Sequence, residues 1–242
     1  MMKVGTFRTA APTVAGLRGA VLPMWVAPKA WLQEGWAMAS DLVVILAGYL
    51  LGSIPFAYLI TKAFTGKDIR REGEGNVGSR NVLHTAGRVA GLLVLLLDTG
   101  KGAAAYWVAR VYGSGDITLY LTGFAMMVGH GFPVWLHWHG GKGLAAAIGF
   151  LMQMWPYSVL GAALVFLLVS RLFTGFDFCF GVAAGAFALL TLKEGTSVEG
   201  MAFVVSLLGL AGVKRLIDLP REREIRAQTG WSDEPVRLRW LR

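Results

Sequence analysis

Long apolar runs, separated by short polar, charged or glycine-rich stretches, dominate the chain from Asp41 to about Lys214. The runs are continuous and do not alternate residue by residue. That pattern predicts helices crossing a bilayer and argues against a membrane β-barrel. Spans are predicted at about 41–63, 88–111, 117–134, 143–155, 156–171, 176–193 and 198–214. The stretch 143–171 is too long for one ordinary crossing. Trp155-Pro156 divides it, because proline cannot continue the hydrogen bonding of a helix. The fold class expected is all-α: a polytopic membrane protein of about seven transmembrane helices, two of them short.

Charge placement supports that count. With two short crossings, the cations from Lys62 to Arg88, Lys142, Arg171 and Lys214, Arg215, Arg221, Arg223 and Arg226 share one side. Asp116, Lys193, Glu194 and Glu199 occupy the other. A single crossing through 143–171 would move the C-terminal cations across and destroy the bias. The positive-inside rule therefore selects seven crossings in the cell membrane, with the C-terminus and both glycine-rich loops cytoplasmic. Residues 1–37 mix Gly, Pro, Arg and isolated Trp without a convincing span, and read as a leader, either disordered or produced by a misassigned start. Met38 opens a membrane domain expected over 38–219. A basic tail follows at 220–242, either solvated or lying on anionic lipid.

Composition agrees with the pattern. Hydrophobic residues make up 55% of the 242 and charged residues 16%, against roughly 25% in soluble domains. The net charge of +8 sits in loops and tail, so it does not point to nucleic acid. Cys179 is the only cysteine, which excludes an intrachain disulfide.

Candidate chemistry lies in the loops. The first, Asp68-Ile69-Arg70-Arg71-Glu72-Gly73-Glu74-Gly75-Asn76-Val77-Gly78-Ser79-Arg80-Asn81, combines spaced glycines with amides and guanidinium groups suited to phosphate oxygens. A flexible connection carrying positive-inside arginines is the competing reading. Glu72 and Glu74 would repel a phosphate unless arginines neutralise them. The second loop runs Gly129-His130-Gly131-Phe132-Pro133 and then Gly140-Gly141-Lys142-Gly143, the latter just before a predicted helix start, a ready anion site. It is not a Walker A loop, since Gly143 stands where Ser or Thr is required. His130 is either a general acid or base, or an interfacial hydrogen-bonding residue. Asp98 and Lys101, at i and i+3 in an apolar span, can pair; an ionisable pair there marks either a functional site or a structural ion pair. No cofactor or metal ion is expected.

Taken in order, Gly52-Ser53-Ile54-Pro55-Phe56, Gly75-Asn76-x-Gly78 with Asn81, Asp98-x-x-Lys101-Gly102, and Gly129-His130-x-Phe132-Pro133 with Gly140-Gly141-Lys142-Gly143 resemble the bacterial membrane glycerol-3-phosphate acyltransferases that use acyl phosphate, the PlsY family. The resemblance covers roughly 50–147. It implies transfer of a fatty acyl group from acyl phosphate to the 1-hydroxyl of glycerol 3-phosphate, giving lysophosphatidate for phospholipid synthesis. It assigns Ser53, Arg70, Lys101 and His130 as catalytic. Substrate binding would fall to Gly75, Asn76, Gly78, Ser79 and Asn81 for glycerol 3-phosphate, and to Gly140, Gly141, Lys142 and Gly143 for acyl phosphate. This chain departs from the family pattern in reading Gly73-Glu74-Gly75-Asn76 for Gly-Ser-Gly-Asn and Ser79-Arg80 for Ala-Thr. It also lacks the family's His and Asn after the last span, for its last histidine is His139 and its last asparagine Asn81. The competing functions are a non-catalytic lipid- or anion-binding relative, and a small-anion transporter with Asp98–Lys101 on its pathway. No inverted repeat supports the transporter.

Overall fold

The computed structural model describes residues 27–173 and 175–231, with side chains from Met38 onward. Residues 1–26 of the expected leader and 232–242 of the expected tail lie outside the described residues. Two compact units divide the chain, residues 1–39 and 40–242. Of the first, the described part is helical backbone from Ala27; everything below concerns the second.

The described residues are helical, without strands. The helices are α1 (Ala27–Ser53), α2 (Phe56–Thr65), α3 (Ser79–Ala86), α4 (Arg88–Tyr112), α5 (Asp116–Gly131), α6 (Leu144–Met154), α7 (Pro156–Leu172), α8 (Phe176–Lys193) and α9 (Val198–Thr229). Short 3-10 turns sit at Ile69–Arg71 and Val134–Leu136. Five segments are long and apolar enough to cross a membrane: Met38–Thr65, Arg88–Tyr112, Asp116–Leu136, Phe176–Lys193 and Val198–Thr229. Helices α6 and α7 are apolar but shorter, and meet at Trp155-Pro156 where the sequence places the break.

Four boundaries differ from the sequence pattern, the first being that α1 begins at Ala27, within the stretch expected as leader. The span drawn over 41–63 is interrupted at Ile54-Pro55, because a proline has no N–H to continue the helix. The first glycine loop folds part of itself into α3. Helix α9 continues through Pro220 to Thr229, so the polar stretch drawn as tail from residue 220 begins as helix.

Packing follows two layers of chemistry. A large apolar cluster joins Met126 of α5, Phe150 of α6, and Phe203, Val204 and Leu207 of α9. The rings of Phe150 and Phe203 lie 5.8 Å apart. A smaller cluster of Ile69, Val77, Val82, Val94 and Leu136 seats the first loop on α4. Outside these, Leu160, Leu164, Leu167 and Leu168 of α7 stay exposed, as expected of a surface meeting lipid chains.

Helices α4 and α6 pack very closely. A Cβ on Gly102 would overlap the carbonyl oxygen of Ala146, and one on Gly149 would overlap that of Thr99. Small residues of this kind let membrane helices bring their backbones together. Gly102→Ala should therefore destabilise the protein by about 1–3 kcal/mol through overpacking. Gly100→Ala, two residues away where a Cβ meets nothing within 4 Å, should not. Thermal unfolding of both variants in detergent micelles measures the difference.

Candidate active site

The break between α1 and α2 builds one wall of a cleft. Ser53 ends α1, and Ile54 and Pro55 leave the helix. The Ile54 carbonyl then accepts a hydrogen bond from Lys101 Nζ at 2.8 Å. Lys101 also pairs with Asp98, Nζ to Oδ1 2.9 Å, and stands 5.6 Å over the Phe56 ring. Both charged side chains are almost fully buried. An isolated charge there would be very costly, so each depends on the other.

His130, near the end of α5, forms the opposite wall, its Nδ1 4.0 Å from Asp98 Oδ1. A Cβ on Gly129 would overlap the Tyr49 carbonyl oxygen, so this end of α5 lies directly on α1. The cleft is lined by Ser53, Pro55, Asp98, Lys101, His130 and Gly140, among others. Ser53 Oγ and His130 Nδ1 are buried and have no hydrogen-bond partner. An unsatisfied buried polar atom costs about 1–3 kcal/mol, and two on one cleft point to a polar ligand.

The second glycine loop folds back on α5. Gly140 N donates to Gly131 O (3.1 Å) and Gly141 N to His130 O (3.2 Å). A side chain on Gly141 would strike both the Val77 carbonyl and His130 Nε2, so bare backbone is needed where the two loops meet. Gly143 adopts φ +77° immediately before α6, a conformation that favours glycine.

The first loop is organised from within. Asn81 is its staple: Oδ1 accepts from Glu74 N (3.1 Å), while Nδ2 donates to the carbonyls of Glu72 (2.9 Å) and Asn76 (3.0 Å). Asp68 accepts from the backbone N–H of Arg70 (3.0 Å) and pairs with its guanidinium, Nη2 to Oδ2 2.7 Å. Arg70 also donates to the Leu136 carbonyl at 3.3 Å. The carboxylates that complicate the anion reading are neutralised. Glu72 pairs with Lys67 at 3.1 Å, and buried Glu74 pairs with Arg80 at 3.0 Å and Arg226 at 3.1 Å.

Of the residues expected from the sequence, the cleft brings together Ser53, Lys101, His130 and Gly140. Asn76 sits beside it in the loop with a buried, unpartnered Oδ1, and Gly75, Gly78 and Ser79 complete the loop around it. Arg70 and Asn81 do not line it; Asn81 is committed to the loop itself, and Arg70 to Asp68 and the Leu136 carbonyl. Lys142 turns to α9, with Nζ 3.4 Å from Glu222 Oε1. Helix α9, without His or Asn, presents a buried Lys214 that pairs with Asp218 at 2.6 Å and stands 4.9 Å over the Phe132 ring. Sequence reasoning named Asp98 as the partner of Lys101 but gave it no catalytic or binding role, and it missed the α9 carboxylates. Lys214, Asp218 and Glu222 recur at four-residue spacing, one helix face, which was the available signal. Among the described residues, no three His, Cys, Asp or Glu side chains group to hold a metal ion.

This arrangement has parallels in known proteins. Residues 42–217 match the family model described as glycerol-3-phosphate acyltransferase. A glycerol-3-phosphate acyltransferase of Cereibacter sphaeroides is 42% identical over 165 residues, covering 66% of this chain and 77% of the relative. One from Synechococcus is 38% identical over 189 residues, covering 74% and 93%. The crystal structure of PlsY, an integral membrane glycerol 3-phosphate acyltransferase, in its glycerol 3-phosphate form superposes with a TM-score of 0.69 at 31% identity. That match covers 79% of this chain and 93% of the other. Its lysophosphatidic acid form gives 0.66 at 30%.

The Arg70 guanidinium bonded to Asp68 holds the Asp68 carboxyl below its ordinary value of 3.8. A carboxyl depressed in the folded state adds stability above its ordinary value and loses it as the pH falls through the lowered one. Asp68→Asn should therefore lower the melting temperature slightly at neutral pH, and the gap to wild type should close once the pH falls below 3.8. A melting series against pH reads this out.

Proposed function

Because the chain belongs to the glycerol-3-phosphate acyltransferase family, we propose that the cleft at Ser53, Lys101 and His130 is where the acyl group is transferred, with acyl phosphate as donor. The protein is a membrane enzyme that acylates glycerol 3-phosphate to lysophosphatidate. One observation carries the site assignment. Two buried polar atoms without partners, Ser53 Oγ and His130 Nδ1, belong to the cleft that holds the Lys101 ammonium. Phosphate and hydroxyl groups of a substrate are what such atoms can satisfy.

In the proposed reaction, the 1-hydroxyl oxygen of glycerol 3-phosphate attacks the acyl carbonyl carbon. A new C–O ester bond forms, the bond from that carbon to the phosphate oxygen breaks, and inorganic phosphate leaves. The donor is already activated, so the protein needs no covalent nucleophile. Its task is to bring two anions together and keep water out. Lys101 and Ser53 hold the phosphate of glycerol 3-phosphate, with Asn76 and the backbone of Gly75, Gly78 and Ser79 beside them. His130 accepts the hydroxyl proton and passes it to the departing phosphate. Lys142 and the start of α6 after Gly143 take the donor phosphate, on a turn that Gly140 and Gly141 fix by donating their N–H groups to the Gly131 and His130 carbonyls. Arg70 and Asn81 act through the loop they order.

The same reading places seven crossings in the membrane, with α6 and α7 as the short pair, and puts the cleft and C-terminus on the cytoplasmic side. The one-sided distribution of cations supports it. Residues 1–37 are assigned as a leader, and 220–242 as a basic cytoplasmic segment.

Purified protein should convert labelled glycerol 3-phosphate to lysophosphatidate with acyl phosphate and give no product with acyl-CoA. Product from acyl-CoA alone would overturn the donor assignment. Lys101→Ala should lower kcat/KM on the order of 10²–10³-fold or more while the protein still inserts and folds. The double variant Asp98→Asn/Lys101→Met leaves no orphaned buried charge and should be equally inactive. Near-normal turnover in either removes Lys101 from the site.

A further inference from the structure

Helix α9 reaches each glycine loop through a separate buried ion pair. Glu222 is 1% exposed, and its two oxygens meet different cations: Oε2 bonds Arg215 Nη1 at 2.6 Å, and Oε1 lies 3.4 Å from Lys142 Nζ in the second loop. One turn on, Arg226 Nη2 reaches buried Glu74 Oε2 in the first loop at 3.1 Å. Neighbours reinforce that second contact. Ile225 packs against Gly75, Thr229 Oγ1 donates to the Gly73 carbonyl at 2.8 Å, and Trp231 stacks edge-on to His84 at 4.9 Å. Where the loops touch each other, Gly141 meets the Val77 carbonyl with no side chain between them, so that contact carries no charge.

We propose that Glu222 and Arg226 are positioning residues, by which α9 sets the second and first glycine loops around the cleft through two separate struts. The proposal rests on the reading that the first loop holds glycerol 3-phosphate and the second holds acyl phosphate. Neither residue lines the cleft, so each acts through its partner: Glu222 through Lys142, Arg226 through Glu74. The geometry also makes each strut removable. Arg215 keeps Asp177 of α8 at 2.7 Å when Glu222 is neutralised, and Glu74 keeps Arg80 at 3.0 Å when Arg226 is replaced.

The test is the two KM values, measured on purified full-length protein with acyl phosphate and glycerol 3-phosphate each varied. Glu222→Gln should raise KM for acyl phosphate about tenfold and KM for glycerol 3-phosphate less than about threefold. Arg226→Gln should do the reverse. A merely structural helix would move both constants together in both variants, or neither, and either result overturns the proposal. Lys142→Met tests the underlying reading separately. If it leaves KM for acyl phosphate unchanged, the donor assignment of the second loop fails. The Glu222 strut, which acts through Lys142, then falls with it, and the Arg226 strut stands only if Arg226→Gln still moves KM for glycerol 3-phosphate alone. Should Glu222→Gln not fold, Lys142→Met/Glu222→Gln is compared with Lys142→Met. No further rise in KM for acyl phosphate supports action through Lys142, and a further tenfold rise overturns it.

Discussion

Buried charge must be paired, and that single constraint organises the functional half of this molecule. Asp98 and Lys101 sit inside an apolar helix because each neutralises the other at 2.9 Å. Removing one partner of such a pair costs about 3–5 kcal/mol, since the other charge is left buried alone. The helix break at Pro55 adds the Ile54 carbonyl as a further acceptor for the ammonium. The cleft is thus fixed at its base by the same groups that give it charge. The same rule governs the loops. Glu74 and Glu222 are each 1% exposed, and each holds cations from two different parts of the chain.

Much of the fold was legible because apolar runs and prolines act locally. The span drawn at 176–193 coincides with α8, and Trp155-Pro156 separates α6 from α7. The same reasoning, applied evenly, would have split the first span at Pro55, where the missing N–H interrupts helix bonding. The end of α9 was illegible for a different reason. Its last turns are polar, and polar residues read as tail when their partners are unknown. They stay helical because Glu222 and Ile225 are buried against the glycine loops, a tertiary fact that periodicity at Lys214, Asp218 and Glu222 only hints at.

The candidate site was legible as residue types and much less so as partners. Glycines, amides and cations in ordered motifs drew attention to the loops, and Ser53, Lys101, His130 and Gly140 line one cleft. A motif cannot say whether an arginine or an amide faces the ligand or its own loop. Arg70 spends its guanidinium on Asp68 and the Leu136 carbonyl, and Asn81 spends its amide on four backbone groups of the loop. Both make bonds that order the loop, and neither lines the cleft.

Pairing also changes how the residues expected to depart from the family pattern are weighed. Read along the chain, Glu74 and Arg80 are two unrelated charges in a glycine-rich loop, the first of them repulsive to an anion. In space they are partners at 3.0 Å, and Arg226 completes the group. A carboxylate held by two guanidinium groups presents no net negative charge to a phosphate nearby. On α9, Lys214 stands against Phe132 and Glu222 against Lys142. Helix α9 in this chain therefore meets the loops with ion pairs, and its contribution to the site is made through their position.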